Sequence, residues 1–107
     1  MDTVFTMTQE PPDYRGGLKT FYGNVQSLMV YPREARRAGI DGKVFVEFIV
    51  DKNGRMTDAR VVKGIGGGCD EVALAACSNQ HDWIPATHKG KPVKTRMVLP
   101  ITFRLGR

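Results

Sequence analysis

Alternation is the strongest pattern in the chain. Val44, Val46, Phe48 and Val50 recur at every second position between Lys43 and Asp51, which predicts a strand with one apolar face. Phe45, Glu47 and Ile49 form its other face, which is only partly polar. A longer run follows at the end of the chain. Val93, Thr95, Met97, Leu99, Ile101, Phe103 and Leu105 alternate with Lys94, Arg96, Val98, Pro100, Thr102 and Arg104, the signature of a half-buried strand. Between the two lies Asp51-Lys52-Asn53-Gly54, a hairpin turn in which the Asn-Gly pair tolerates positive φ. It leads into a strand from about Arg55 to Lys63, whose parity slips between Met56 and the pair Ala59/Val61 and so predicts a bulge.

Helical spacing marks three further segments. Leu18, Phe21, Val25 and Leu28 recur at intervals of three and four, one apolar helix face entered through Gly16-Gly17. Tyr31-Pro32 ends it, because a residue before proline is pushed out of the helical region. Pro32 then suits the first turn of a short helix over 33–38, closed by Gly39. A third helix is expected from Asp70 to Gln80, with Asp70 and Glu71 at the positive end of its dipole and Cys69, Ala73, Ala76 and Cys77 on its buried side. The first 15 residues are polar and carry Pro11-Pro12, and read as a linker or an added tail. The fold class is therefore α+β, with helices on one face of a three-stranded antiparallel sheet.

Pro100 orders that sheet. Having no N–H, it is confined to edges, strand starts or bulges, which places the 93–105 strand at an edge and gives the order 2-1-3. If the missing donor of Pro100 faces outward, the backbone groups of Lys94, Arg96, Val98 and Thr102 face outward with it.

Composition narrows the function classes. A chain of 107 residues, 41% of them hydrophobic, makes one domain with a modest core. Two cysteines are too few for a disulfide scaffold. No window approaches the ~20 apolar residues of a membrane span, and the start of the chain lacks the basic and apolar regions of a secretory signal. The net charge of +5 is uneven: residues 1–32 carry two bases against three acids, residues 33–107 fourteen against eight. A basic half could face nucleic acid, anionic lipid or an acidic protein segment. Nucleic acid is not expected, because the bases are scattered, aromatic residues are 8% of the chain and no RNP, zinc-finger or helix-turn-helix pattern occurs.

No catalytic, cofactor or metal site is predicted. The glycine-rich run from Gly64 to Gly68 lacks the Lys-Ser/Thr of a phosphate loop and follows a hairpin rather than a βαβ unit, so it reads as a flexible connector. Cys77 and His81 stand four apart on the expected helix and could touch. A thiol nucleophile also needs an orienting group and an oxyanion site, and Cys77 falls on the buried side. Cys69, eight residues before Cys77, lies about 12 Å away along a helix axis, too far for a shared zinc or a disulfide. Both read as buried free thiols. Trp83 beside Pro85 reads as the seal on one end of the core.

The order and spacing of several motifs resemble the TonB C-terminal domain family. Tyr31-Pro-Arg-Glu-Ala-Arg-Arg-Ala-Gly-Ile-Asp-Gly-Lys-Val44 is similar to the family's opening Tyr-Pro, Ala-bearing helix and Gly-Ile-x-Gly-x-Val. The likeness continues through Val46-x-Phe-x-Val50, Asp51-x-x-Gly54, Cys69-Asp70-x-x-Ala73, Trp83-x-Pro-Ala86, Gly90-Lys-Pro-Val93 and Leu99-Pro-Ile-x-Phe103. It covers about 31–105, and Tyr14-Arg-Gly-Gly-Leu18 looks like the extension of Bacteroidetes-type members. Three departures stand out: Cys69 replaces a usual Leu, His81-Asp82 replaces an apolar residue and Pro, and the Gln that several members carry just before Tyr-Pro is absent.

That resemblance implies a non-enzymatic, periplasmic module spanning 16–107, with its core in 31–105, at the end of an inner-membrane energy transducer for nutrient uptake. It implies an anchor and Pro-rich spacer before residue 1, and coupling to an ExbB–ExbD proton-driven motor. The implied partner is the Ton box peptide of outer-membrane transporters, captured by strand addition along Lys94, Arg96, Val98 and Thr102, with Tyr31 and Pro32 on the receptor-facing side. Isolated domains of this family can exchange strands into homodimers. Similar domains also occur as sensors appended to membrane metallopeptidases of the beta-lactam-sensor type, which is the alternative setting.

Overall fold

The computed structural model describes residues 3–6, 8 and 10–106. In chain order the elements are β1 (Val4–Phe5), β2 (Asp13–Tyr14), α1 (Leu18–Leu28), α2 (Arg33–Ala38), β3 (Gly42–Val50), β4 (Met56–Lys63), α3 (Cys69–Cys77), β5 (Trp83–Ile84), β6 (Ala86–His88) and β7 (Lys91–Phe103). The three long strands lie in the order β4-β3-β7 and pair antiparallel. The expected sheet of three antiparallel strands needs correction, however. Two short strands extend it to five: β6 folds back on the start of β7, and β1 pairs parallel to β7 through Val4 with Lys94 and Phe5 with Thr95. The sheet is mixed, and β2 and β5 form a separate two-stranded ribbon.

Alternation decides which face of the sheet is covered. Val44, Val46, Phe48 and Val50 of β3 are fully buried, as are Ile101 and Phe103 of β7 to within 2%. They form one cluster with Phe21 and Val25 of α1, Ala35 of α2 and Cys69, Ala73, Ala76 and Cys77 of α3. Small side chains on α3 let it lie close to the sheet. Leu18 and Leu28, the outer members of the predicted face of α1, stay 38% and 54% exposed. The turn after β3 is built as its sequence requires. Asp51 Oδ1 accepts from the Asn53 and Arg55 amides, both at 2.9 Å, and Gly54 takes φ +82°. The parity slip is a bulge: Glu47 pairs with Arg60 and Ile49 with Thr57, and Asp58 within the longer β4 segment adopts φ +55°.

The described residues among the first 15 (3–6, 8 and 10–15), read as a linker, are instead laid against the domain at several points. Tyr14 is 2% exposed. Its ring meets Trp83 edge-on at 5.0 Å and Phe21 at 5.5 Å, and its hydroxyl donates to Gln80 Oε1 at 3.2 Å. Further back, Glu10 and Thr87 exchange backbone hydrogen bonds. Trp83, which also packs on Phe48 at 5.3 Å, closes the core here.

The glycine-rich run is likewise more ordered than a plain connector. Asp70 Oδ1 accepts from the amides of Ile65 and Gly66, folding the loop back on the start of α3. Close packing of Gly67 explains its lack of a side chain: a Cβ there would come 2.9 Å from Ile40 Cδ1 and 3.0 Å from Ala35 Cβ. Finally, α3 ends at Cys77 rather than Gln80. His81 therefore leaves the helix, and its Nδ1 accepts from the Met56 amide at 3.3 Å.

Burial pushes the Cys77 thiol up to about 12 and also raises Cys69, where Asp70 and Glu71 add to the effect. The thiol, not the thiolate, is the state held in the fold, so neither residue is an activated nucleophile. The pH dependence follows in sign. Above the ordinary thiol value of 9.0 the unfolded chain loses a proton that the native Cys77 keeps, so stability falls as pH rises from about 9 towards 12. The slope contributed by Cys77 approaches about 1.4 kcal/mol per pH unit. Urea unfolding at pH 8 and pH 10.5 is expected to show a steeper loss for the native sequence than for Cys77→Ala. Equal losses would remove Cys77 as the cause.

Candidate functional site

β7 is thirteen residues long, and its two edges are treated differently. On the inner side it pairs with β3 without a break from Gly42↔Phe103 to Val50↔Thr95. On the outer side β1 covers 94–95, while β6 pairs with 91–93, ahead of the stretch that β3 covers. From Arg96 to Phe103, no second strand among the described residues pairs with it. The expectation that the whole 93–105 strand forms an edge is thus corrected: its first part is covered, and the strand ends at Phe103. The eight residues from Arg96 onward remain open on that side.

Register fixes which backbone groups are open. Pro100 stands opposite Phe45 and has no N–H to exchange. In an antiparallel ladder, hydrogen-bonded and non-bonded pairs alternate. The pairs one step away, Val44↔Ile101 and Val46↔Leu99, are then the bonded ones, and Glu47↔Val98 and Lys43↔Thr102 are not. The amides and carbonyls of Val98 and Thr102 therefore project away from β3, into the open side. An unpaired row of this kind is a template for another strand.

The four expected edge residues differ in surroundings. Lys94 is half-buried and opposite Val4 of β1, so its backbone is no longer on an open edge. Arg96 is exposed, and its Nε lies 3.9 Å from Glu47 Oε1, which Arg60 Nε holds at 2.9 Å. Val98 is 47% exposed, a large apolar side chain left uncovered. Thr102 lines a cavity of about 370 Å³ with Gln26, Met29, Tyr31, Phe103 and Arg104.

Tyr31 and Pro32, the other predicted pair, separate. The Tyr31 ring packs edge-on against Phe103 at 5.6 Å, its hydroxyl donates to the Ile40 carbonyl, and the Arg36 guanidinium stands 5.2 Å from its ring centre. Desolvation raises the Tyr31 hydroxyl above its ordinary value; Cys69 and Asp41 act in the same sense and Arg36 against it. The phenol is thus a neutral donor that fixes the corner. Pro32 is the extended N-cap of α2 and lies against the glycine loop, where a Cβ on Gly68 would meet its Cβ at 3.3 Å. So Tyr31 joins Thr102 at one end of the open edge, and Pro32 does not reach it. Gln26 of the same cavity carries no sequence signal for it, since it lies off the apolar stripe of α1, and Met29 follows the last residue of that helix and packs against the core. The N-terminal contribution at the other end was equally hidden, for a two-residue strand has no periodicity to read.

Among the described residues no group of three or more His, Cys, Asp or Glu is placed to hold a metal, and no helix is long and apolar enough to cross a membrane. What the arrangement offers is an open backbone edge that starts beside β1 and ends beside the Thr102 cavity.

Comparison with known proteins gives the same direction. The model of the family described as Gram-negative bacterial TonB protein C-terminal matches residues 27–105. Protein TonB of Vibrio cholerae is 36% identical over 76 residues, which is 70% of this chain but 31% of that protein, so the chain corresponds to about a third of that relative's length. Two solution structures of the Helicobacter pylori TonB C-terminal domain superpose with TM-scores of 0.64 and 0.63 at 26% identity. The first covers 81% of this chain and 91% of that one, the second 84% and 81%. Fold, family model and relative agree over the part that carries the open edge, and this chain belongs to the TonB C-terminal family.

Proposed function

We propose that this domain is the periplasmic end of a TonB-type energy transducer. It captures the Ton box peptide of an outer-membrane transporter as an added strand along β7. The observation that carries the reading is the run from Arg96 to Phe103, paired on one side by β3 and unpaired on the other among the described residues. Backbone hydrogen bonds grip an extended peptide whatever its side chains, and pockets beside the edge select among sequences. A ladder pulled along its length loads several bonds together, so a small interface can carry tension from a proton-driven ExbB–ExbD motor. Nothing in this work of binding and pulling calls for catalysis or a cofactor.

Positive charge favours an acidic or neutral partner. Arg96 and Arg104 are exposed at the two ends of the open run, and exposed charges of this kind tune the rate of encounter more than the final affinity. Titration of a fluorescent synthetic Ton box peptide into the protein tests the proposal. Saturable binding is expected, lost with a scrambled peptide, and with an association rate that falls between low and high salt. A peptide that fails to bind at millimolar protein would overturn it.

A further inference from the structure

The N-terminal segment meets the open edge at one place and changes what it can accept. β1 occupies the outer side of β7 at Lys94 and Thr95 and goes no further. An incoming strand on that side therefore begins its ladder at Arg96. Immediately beside that point is a cavity of about 340 Å³. Met97 and Thr95 line it from β7, Pro11, Pro12 and Thr6 from the N-terminal segment, with Val98 at its rim. Arg96 also borders it, but its guanidinium lies close to Glu47. Glu47 alternates with the buried Val46 and Phe48 and so points to the opposite face of the sheet. The cavity is left mostly with methyl groups, proline rings and a thioether, beside the threonine hydroxyls of Thr6, Thr8 and Thr95, the last buried without a partner among the described residues.

We infer that the N-terminal segment is part of the peptide site, and that it builds a pocket for one apolar side chain at the end of the added strand. The inference rests on the reading of β7 as a peptide-binding edge. Its occupant follows from the geometry of pairing. A residue placed opposite Met97 directs its side chain to the same face as Met97, whichever way the peptide runs. That is the face on which Pro11 and Pro12 stand. The cavity lies at the lower end of the usual size for a ligand pocket and suits a single Leu, Ile, Met or Phe side chain. β1 thus acts as the stop that sets the register, and the proline pair as the wall that selects.

Selection from a display library of random twelve-residue peptides tests this, on the native sequence and separately on Pro11→Lys and Val98→Pro. Pro11 is exposed, so the lysine adds a charge at the wall without entering the core; thermal melting of both variants confirms folding. The native protein is expected to select peptides sharing one apolar position. Those peptides should lose about tenfold or more in affinity on Pro11→Lys, the range expected for spoiling a hydrophobic subsite, while that variant selects an acidic residue at the same position. Both sets should be lost on Val98→Pro. If binding depends on Val98 but Pro11→Lys changes neither affinity nor preference, the pocket is wrong and the edge survives. If selected peptides bind Val98→Pro as well as the native protein, or if none are selected, the edge reading itself falls.

Discussion

Gly54→Ala is expected to destabilise the domain by about 3–5 kcal/mol, the sum of left-handed backbone strain and overpacking. Gly54 is buried, at φ +82°, in the turn between β3 and β4. A Cβ on it would stand 2.1 Å from the carbonyl oxygen of Trp83, a collision with backbone that no rotamer change relieves. The same two residues are joined by a hydrogen bond from the Trp83 amide to the Gly54 carbonyl at 3.2 Å. Moving the turn aside would break that bond and displace Trp83, against which Tyr14, Phe21 and Phe48 pack. Gly39→Ala supplies the comparison. Gly39 also has positive φ, +68°, but a Cβ there meets nothing within 4 Å. Its cost should be the strain alone, about 1–2 kcal/mol. Each kcal/mol lowers the melting temperature of a domain of this size by about 4 °C or more, so calorimetry separates the two. Equal losses would mean that the Gly54–Trp83 contact carries no weight.

A proline scan along β7 carries the second large effect. Met97→Pro removes an amide that bonds to β3 opposite Phe48, and leaves a buried acceptor without a donor. It also removes a half-buried side chain that packs against the core. Together these are expected to cost about 3–5 kcal/mol. Val98→Pro, one residue along, removes an amide that faces the open side. Its stability should stay within about 1 kcal/mol of the native value, because Pro at a non-bonded edge position forfeits no ladder bond. Its effect falls on the partner: peptide affinity should drop about tenfold or more through one lost hydrogen bond and the proline ring at the edge. Urea unfolding beside peptide titration reads both quantities. Unfolding by Val98→Pro with a stable Met97→Pro would show that the parity is reversed.

The legible parts of this fold are those where burial repeats with a period. β3 and β7 announce themselves because every second side chain enters the core, and Pro100 announces the outward parity of β7 because it cannot donate. Asp51 to Gly54 is read from turn chemistry, and the β4 bulge from a slipped alternation. The N-terminal segment is illegible for the opposite reason. Tyr14 is one aromatic in a polar, proline-containing stretch, and what buries it is Trp83, near the other end of the chain. β1 contributes two residues to the sheet, too few for a pattern, yet they decide where the open edge begins. The Cys77–His81 spacing predicts a contact only if α3 runs to Gln80. Once Ser78 Oγ bonds back to the Leu74 carbonyl at 2.6 Å and the helix stops, His81 turns to Met56. The glycine run gains its order from Asp70, a side chain outside the run. At the site, edge residues were readable from parity, whereas the two recesses flanking them required the tertiary fold.

The most direct measurement is amide hydrogen exchange along β7, with and without a saturating synthetic Ton box peptide. In the free protein, Leu99 and Ile101 should exchange slowly, since their amides bond to β3, while Val98 and Thr102 in the same strand exchange fast. Peptide should slow Val98 and Thr102 by about tenfold or more and leave Leu99 and Ile101 little changed, the pattern of a strand added on the outer side. Unchanged exchange at Val98 and Thr102 under saturation, with protection appearing elsewhere on the domain, would contradict strand addition at this edge.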